Sequence, residues 1–317
     1  MFNFVLQHKD NFAKVLSSTS HAILIESNDD TLIKNVAKLY AMNLFCKSKN
    51  ACGICSSCLK IIDNNSLDTL IYPTQKNFLM DDVNDLLDKL NITPAENDYK
   101  VFIINNIDQA SALVQNKLLK SIEEPPKFVK FVLTCNSRQK VLPTIVSRCE
   151  TIHLNNFTQQ EMTPLLENLP GEYRQIIGEY SQGNLTVLEK LKGDNNFIDN
   201  YNYALKILCN LTNSKEMLEF SSFLCENKQK FLEIVEILDM FLFDIVNINC
   251  GKVDLVQNKF CLAQLTKASK NLSTKACLEI KNKILLINEK LNLNTNLNSV
   301  VDEFLLGYLE EKWKSKK

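Results

Sequence analysis

Three runs of almost unbroken apolar residues limit the fold most strongly: HAILI at 21–25, KVFII at 100–104 and FVKFVLT at 128–134. A strand that is apolar at nearly every position must be covered on both faces, which is the situation of a parallel sheet. Thr69–Tyr72 reads as a weaker strand beside them. Between the runs lie segments with helical spacing. Thr31–Phe45 aligns Leu32, Val36, Leu39 and Tyr40, and Met80–Leu90 aligns Val83, Leu86, Leu87 and Leu90. Ser111–Glu123 is a third, expected to turn Leu113, Leu118, Leu119 and Ile122 inward, and Pro125-Pro126 stops it because proline lacks a donor and restricts the residue before it. Strands alternating with helices predict an α/β parallel-sheet domain over 1–155.

Past Asn156 only helical periodicity remains. Glu161–Leu169, Tyr173–Tyr180 and Leu185–Leu191 read as short helices, with a break at Gly183-Asn184, and define a small helical domain over 156–199. An all-helical domain follows over 200–317, its clearest stretch being Phe231–Ile245 with Leu232, Val235, Leu238, Phe241, Leu242 and Ile245 in line. A chain of 317 residues is long enough for two or three such domains.

The charges nearly cancel, 36 Lys and Arg against 37 Asp and Glu, so no overall field draws the chain to nucleic acid. The first residues, MFNFVLQHKDNF, do not form a secretory signal, and no run of about 18 apolar residues suggests a membrane span. The expectation is a soluble cytoplasmic protein, with no membrane partner, in which cysteines stay reduced. Seven of its 11 cysteines are scattered through apolar surroundings as small core residues.

The other four are not scattered. Cys46, Cys52, Cys55 and Cys58 follow the spacing C-x5-C-x2-C-x2-C, and four thiolates this close can surround one tetrahedral ion at about 2.3 Å from each sulfur. Zinc is the expected ion, with an iron-sulfur cluster as the alternative. A site with all four positions filled by protein has no place for a reactive water, so the role is structural. Gly53 permits the tight backbone that turns amides toward the sulfurs. A redox pair fits less well, since that chemistry uses two cysteines at a helix start.

The loop after the first apolar strand is where a phosphate cradle would lie, in the pattern G-x-x-x-x-G-K-[ST]. The chain instead reads ESNDDTLIK from Glu26 to Lys34, with no glycine and three carboxylates, Glu26, Asp29 and Asp30, that repel phosphate. Lys34 alone reads as a solvated helix residue. The second strand should end in an acidic pair holding magnesium, but Asn105 and Asn106 follow KVFII. Asp108, farther on, suits a turn or helix cap. No nucleotide-binding residues are assigned, and no intrinsic ATPase activity is expected.

Five pieces in order, HAILI, the cysteine cluster, NITPAENDYKVFII (91–104), NKLLKSIEEPP (116–126) and LPTIVSRC (142–149), resemble the zinc-bearing AAA+ subunits of the bacterial DNA polymerase III clamp loader. The resemblance runs to about Leu191 and more weakly beyond. It implies an AAA+ nucleotide fold, a helical lid and a helical collar that mediates oligomerisation. Gamma/tau members of that family keep the phosphate loop and acidic pair, and delta-prime members have commonly lost them, so this sequence looks like the delta-prime branch. Thr186, in GNLTV, stands where the family places a nucleotide-sensing arginine.

The retained Ser147-Arg148-Cys149 implies an arginine that reaches ATP on a neighbouring subunit, where a planar guanidinium stabilises phosphoryl transfer. From the tripeptide alone, a surface or ion-paired arginine is the simpler reading. The implied partners are gamma/tau-like ATPase and delta-like subunits and, through the assembly, the sliding clamp and primed DNA. The alternative is an ATP-hydrolysing gamma/tau-like subunit with an atypical phosphate loop. Glu123 and Glu124 are adjacent on a helix, do not face each other and read as surface residues. His8, His21 and His153 read as structural. Trp313 with Lys312, Lys314, Lys316 and Lys317 reads as a frayed basic tail.

Overall fold

Five strands, β1 (Ala22–Glu26), β2 (Thr69–Tyr72), β3 (Lys100–Ile104), β4 (Val129–Cys135) and β5 (Glu150–His153), form one parallel sheet in the order β2-β3-β4-β1-β5. The computed structural model describes residues 1–317 except 76, 193, 195, 294, 316 and 317. The three apolar runs supply the three interior strands, and every residue of β3 is buried. Phe102 of β3 is in register with Phe131 of β4, and their rings stack with centroids 5.6 Å apart. This is the α/β parallel-sheet fold expected from the sequence. β5 gave no clear sequence signal: it is an edge strand, ETIH, with only Ile152 buried, so it lacks the continuous apolar run of an interior strand.

The helices fall close to their expected places. Asp30–Phe45 buries Leu32, Val36, Leu39 and Tyr40, and Met80–Leu90 buries Val83, Leu86 and Leu90. Ala112–Glu123 starts behind the Ser111 cap, whose hydroxyl accepts from the Val114 amide. Its inward stripe is Val114, Leu118 and Ile122, while Leu113 is 71% exposed, which corrects the expectation that Leu113 faces the core. The three buried residues repeat every four positions, and Leu113 falls outside that stripe.

Two buried charges fix the 91–99 loop that leads into β3. Asp68 accepts from the amides of Ala95 (2.6 Å), Glu96 (2.8 Å) and Asn97 (2.9 Å) and from the Asn97 side chain. Burial opposes its charge, but these donors outweigh burial and hold the carboxyl below its usual range. Lys100 donates to the carbonyls of Lys89 and Ile92, at the end of helix Met80–Leu90, and its burial lowers its pKa. The segment NITPAENDYK thus owes its shape to a carboxylate gathering amides and an ammonium gathering carbonyls.

By its internal contacts the chain divides into two units, one of Met1–Thr158 with Gly183–Glu189 and one of Gln159–Gln182 with Lys190–Lys317. The second is helical: Phe197–Asn210, Ser214–Leu224, Lys228–Asn249, Leu262–Ser269, Thr274–Asn292 and Leu297–Lys314 make up most of it. Lys228–Asn249 buries Phe231, Val235, Leu238, Phe241, Leu242 and Ile245. Asp244, fully buried on that helix, accepts from the amides of Gln257 and Asn258 and from the Asn258 side chain, anchoring the returning loop.

The basic end of the chain is not a frayed tail over its described part. Helix Leu297–Lys314 continues through it, and Lys312, 3% exposed, donates to the carbonyls of Leu208 (3.1 Å) and Leu211 (2.8 Å) at the end of helix Phe197–Asn210. Trp313 donates to the Thr212 carbonyl at 3.4 Å. A lysine is well suited there because free carbonyls at a helix end attract a cation. Lys316 and Lys317 lie outside the described residues. No helix among the described residues is long and apolar enough to cross a membrane.

Candidate functional site

The four clustered cysteines converge. Cys46 ends helix Asp30–Phe45, Cys55 precedes helix Ser56–Ile62, and Cys58 lies buried in the first turn of that helix. Their sulfurs all lie within 4.8 Å of one another. Tetrahedral bonds of about 2.3 Å place sulfurs about 3.8 Å apart, so a small contraction seats an ion. The backbone reaches this geometry through three left-handed residues, Lys49 (φ 50°), Ala51 (φ 40°) and Gly53 (φ 75°). Only the glycine announces such a conformation in sequence.

The amide of Cys52 donates to the Cys46 sulfur and that of Cys55 to the Cys52 sulfur, each at 3.4 Å. Burial pushes the Cys46 thiol up, but the Ser48 hydroxyl and the amides of Cys52, Asn50 and Ser48 overcome it and bring the thiol to about 5. Burial dominates at Cys58 and raises its thiol. A thiolate set backed by amides is what a zinc site requires. The N-terminal helix Phe2–Gln7 supports the loop, for a Cβ at Gly53 would meet the Leu6 side chain at 2.5 Å, and Lys9 donates to the Asn50 carbonyl.

At the phosphate-loop position, the Asp29 carboxylate is fully buried and holds two helix starts together. Its Oδ1 accepts from the Leu32 amide (3.1 Å) at the start of helix Asp30–Phe45, and from the Thr186 amide (3.1 Å) and hydroxyl (2.8 Å). Its Oδ2 accepts from the Leu185 amide at 2.5 Å, at the start of helix Leu185–Lys192. The Thr186 hydroxyl also accepts from the Thr31 amide, and the Asn184 side chain donates to the Asn28 carbonyl. Lys34 is paired with Asp30 at 2.5 Å.

Beside this loop is an open cleft of about 680 Å³, with Thr31, Lys34, Lys38, Asn105, Asn106 and Glu189 in its wall. Asn105 and Asn106 follow β3, and their side-chain oxygens are buried with no hydrogen-bond partner among the described residues. Asp108 accepts from the amides of Asn136 and Ser137 at 3.3 Å each, which is a loop-holding role.

Arg148 lies elsewhere on this unit, after the turn Pro143–Val146. It donates to the Thr144 carbonyl at 2.9 Å and to Glu123 Oε1 at 3.0 Å, with the Arg148 side chain 32% exposed and that of Glu123 53% exposed. Among the described residues, no hydrogen bond joins it to the cysteine cluster or to the Asp29 loop.

Residues 8–158 match a family described as DNA polymerase III, delta subunit. The DNA polymerase III tau subunit of Escherichia coli is 31% identical over 160 residues, 50% of this chain and 25% of that protein. The tau subunit of Bacillus subtilis is 31% identical over 144 residues, 44% of this chain and 26% of that protein. Residues 8–158 are thus similar to this family and to tau subunits of DNA polymerase III. The gamma subunit of Buchnera aphidicola subsp. Schizaphis graminum is 27% identical over 214 residues, 64% of this chain and 57% of its own length. The chain thus spans between about a quarter and just over half of these relatives. A solved gamma subunit-related protein from Thermotoga maritima covers 97% of this chain and 99% of its own at 16% identity and a TM-score of 0.47.

Within residues 8–158, the structure unites the four cysteines that sequence spacing singled out and leaves Arg148 apart from them. Two features were missed. Glu123, read as a solvated helix end, is the partner of Arg148. Asp29, read only as repelling phosphate, joins two helix starts that lie about 155 residues apart in the chain. Serine, threonine, asparagine and aspartate all cap helices, so Asp29 before Thr31–Phe45 was recognisable as a cap of the first helix and not of the second.

Proposed function

We propose that the chain is a delta-prime-like clamp-loader subunit that does not hydrolyse ATP itself, lends Arg148 to ATP on a neighbouring subunit and supports placement of the sliding clamp on primed DNA. The observation that carries this reading is Asp29. A phosphate cradle needs its loop amides free and its helix start open to an anion, whereas here a buried carboxylate takes the Leu32 amide and the loop has no glycine. Asn105 and Asn106 supply no charge for magnesium. The four cysteines hold a structural zinc ion. The partners are gamma/tau-like and delta-like subunits in the cytoplasm, and 156–199 and 200–317 serve as lid and collar.

A second reading is favoured by the names of the matched relatives, which are tau and gamma subunits. It makes the chain an ATP-hydrolysing subunit with an atypical phosphate loop, using the cleft beside Asn105. Equilibrium titration of the purified chain with ATP and magnesium separates the two. The first expects no saturable binding up to millimolar ATP. Binding in the micromolar range, with turnover, establishes the second.

A further inference from the structure

We propose that Asp29 is a built-in latch: its carboxylate supplies from within the chain the anion that draws the start of helix Leu185–Lys192 onto the sheet domain, so segment 183–189 is closed without any ligand.

The geometry supports this in three ways. First, the carboxylate is fully buried, and burying an unneutralised charge is strongly unfavourable unless donors surround it. Asp29 meets that requirement with three amides and one hydroxyl, from Leu32, Leu185 and Thr186. Second, these donors belong to the starts of two helices, whose free amides and dipoles both favour a negative charge at one point. Third, the contact is reinforced across the same seam by Thr31 with Thr186, Thr31 with Glu189 and Asn184 with Asn28. The backbone also allows little slack, since a Cβ at Gly183 would come within 1.7 Å of the Phe157 carbonyl oxygen, and Gly183 sits at φ 77°.

In many strand-loop-helix folds a helix start takes its anion from a bound phosphate. Here the anion is a side chain, so the closed position of 183–189 is a constant property of the chain. The latch goes beyond the functional reading above, and its test is separate from that reading's: hydrogen exchange reads the seam between Asp29 and 183–189, whereas ATP titration reads the cleft beside Asn105.

Hydrogen exchange on the full chain, with no nucleotide present, tests it. In Asp29→Ala the amides of Leu185 and Thr186 should exchange about tenfold faster or more, with β3 and β4 still protected. Sodium acetate, compared with sodium chloride at equal ionic strength, should slow these amides again in the variant and leave the parent unchanged, because a free carboxylate can enter the vacated position. If Asp29→Ala does not fold, Thr186→Val is read instead. It removes the hydroxyl bond to Asp29, and should speed exchange at Leu185 and Val187 while β3 and β4 stay protected. Unchanged exchange in the variant that folds overturns the latch. So does loosening of Asp29→Ala that acetate does not reverse, which marks a residue with a packing role only.

Discussion

At Arg148 the relevant question is how firmly the guanidinium is held in its own subunit. Its carboxylate partner Glu123 is more than half exposed, and such surface pairs contribute about 0–1 kcal/mol, so in the proposed role a swing toward a neighbouring nucleotide gives up this weak pair and the bond to the Thr144 carbonyl. Arg148→Ala should therefore leave the melting temperature and zinc content of the chain close to the parent's. In the assembled complex it should lower DNA- and clamp-stimulated ATP hydrolysis by on the order of a thousandfold at the site it serves. Arg148→Lys should recover little, since an ammonium keeps the charge and loses the planar fork. A complex that assembles with the alanine variant and hydrolyses ATP at the parent rate reduces Arg148 to a surface arginine. The arginine itself was legible from SRC, but its resting partner was not: Glu123 lies 25 positions away and meets it only because the Pro143–Val146 turn packs on helix Ala112–Glu123.

At the scale of elements, spacing alone identified the cysteine loop because its chemistry is local. Four cysteines in thirteen positions need no long-range folding to converge, whereas helix Ser56–Ile62, which carries Cys58, is too short to show a clear periodicity. Interior strands were legible for a related reason: burial on both faces writes an apolar run into the sequence, and edge strand β5 is exempt. The terminal lysines show the limit of composition, since Lys312 reads as one of a basic cluster until helix Phe197–Asn210 brings its carbonyl end to it. Removing one sulfur tests the loop as an element. Cys55→Ser leaves three thiolates and spares the start of helix Ser56–Ile62, because Cys55 makes no side-chain cap there and serine is a favoured N-cap residue. Zinc loss to a chromophoric chelator should accelerate by more than the roughly 10- to 100-fold that follows loss of an outer-layer contact. Thermal unfolding of the first unit should come earlier, with the helical unit unaffected. Equal zinc content and equal release rates in parent and variant remove the zinc assignment.

For the whole molecule, a net charge of -1 gives no general attraction to DNA, so in the proposed role any DNA contact has to be local or come through other chains. In the proposed role the second unit is where association with those chains would take place. Helix Thr274–Asn292 exposes Leu278 (51%) and Leu285 (72%), seven positions apart and so on one face, with Leu286 (48%) next to them. Leucines grouped in this way on a surface helix mark a contact with another protein more often than isolated ones do. In the proposed assembly they meet the helical domains of neighbouring subunits. The double variant Leu278→Glu with Leu285→Glu should stay folded, because neither side chain fills the core, and should keep the zinc content of the parent. Mixed with the gamma/tau-like and delta-like subunits, the parent should elute with them as one complex in size-exclusion chromatography, and the variant should elute largely alone. A variant that joins the complex as fully as the parent places the association surface elsewhere on the chain. A parent that forms no complex with either subunit removes the clamp-loader role itself, whatever the variant does.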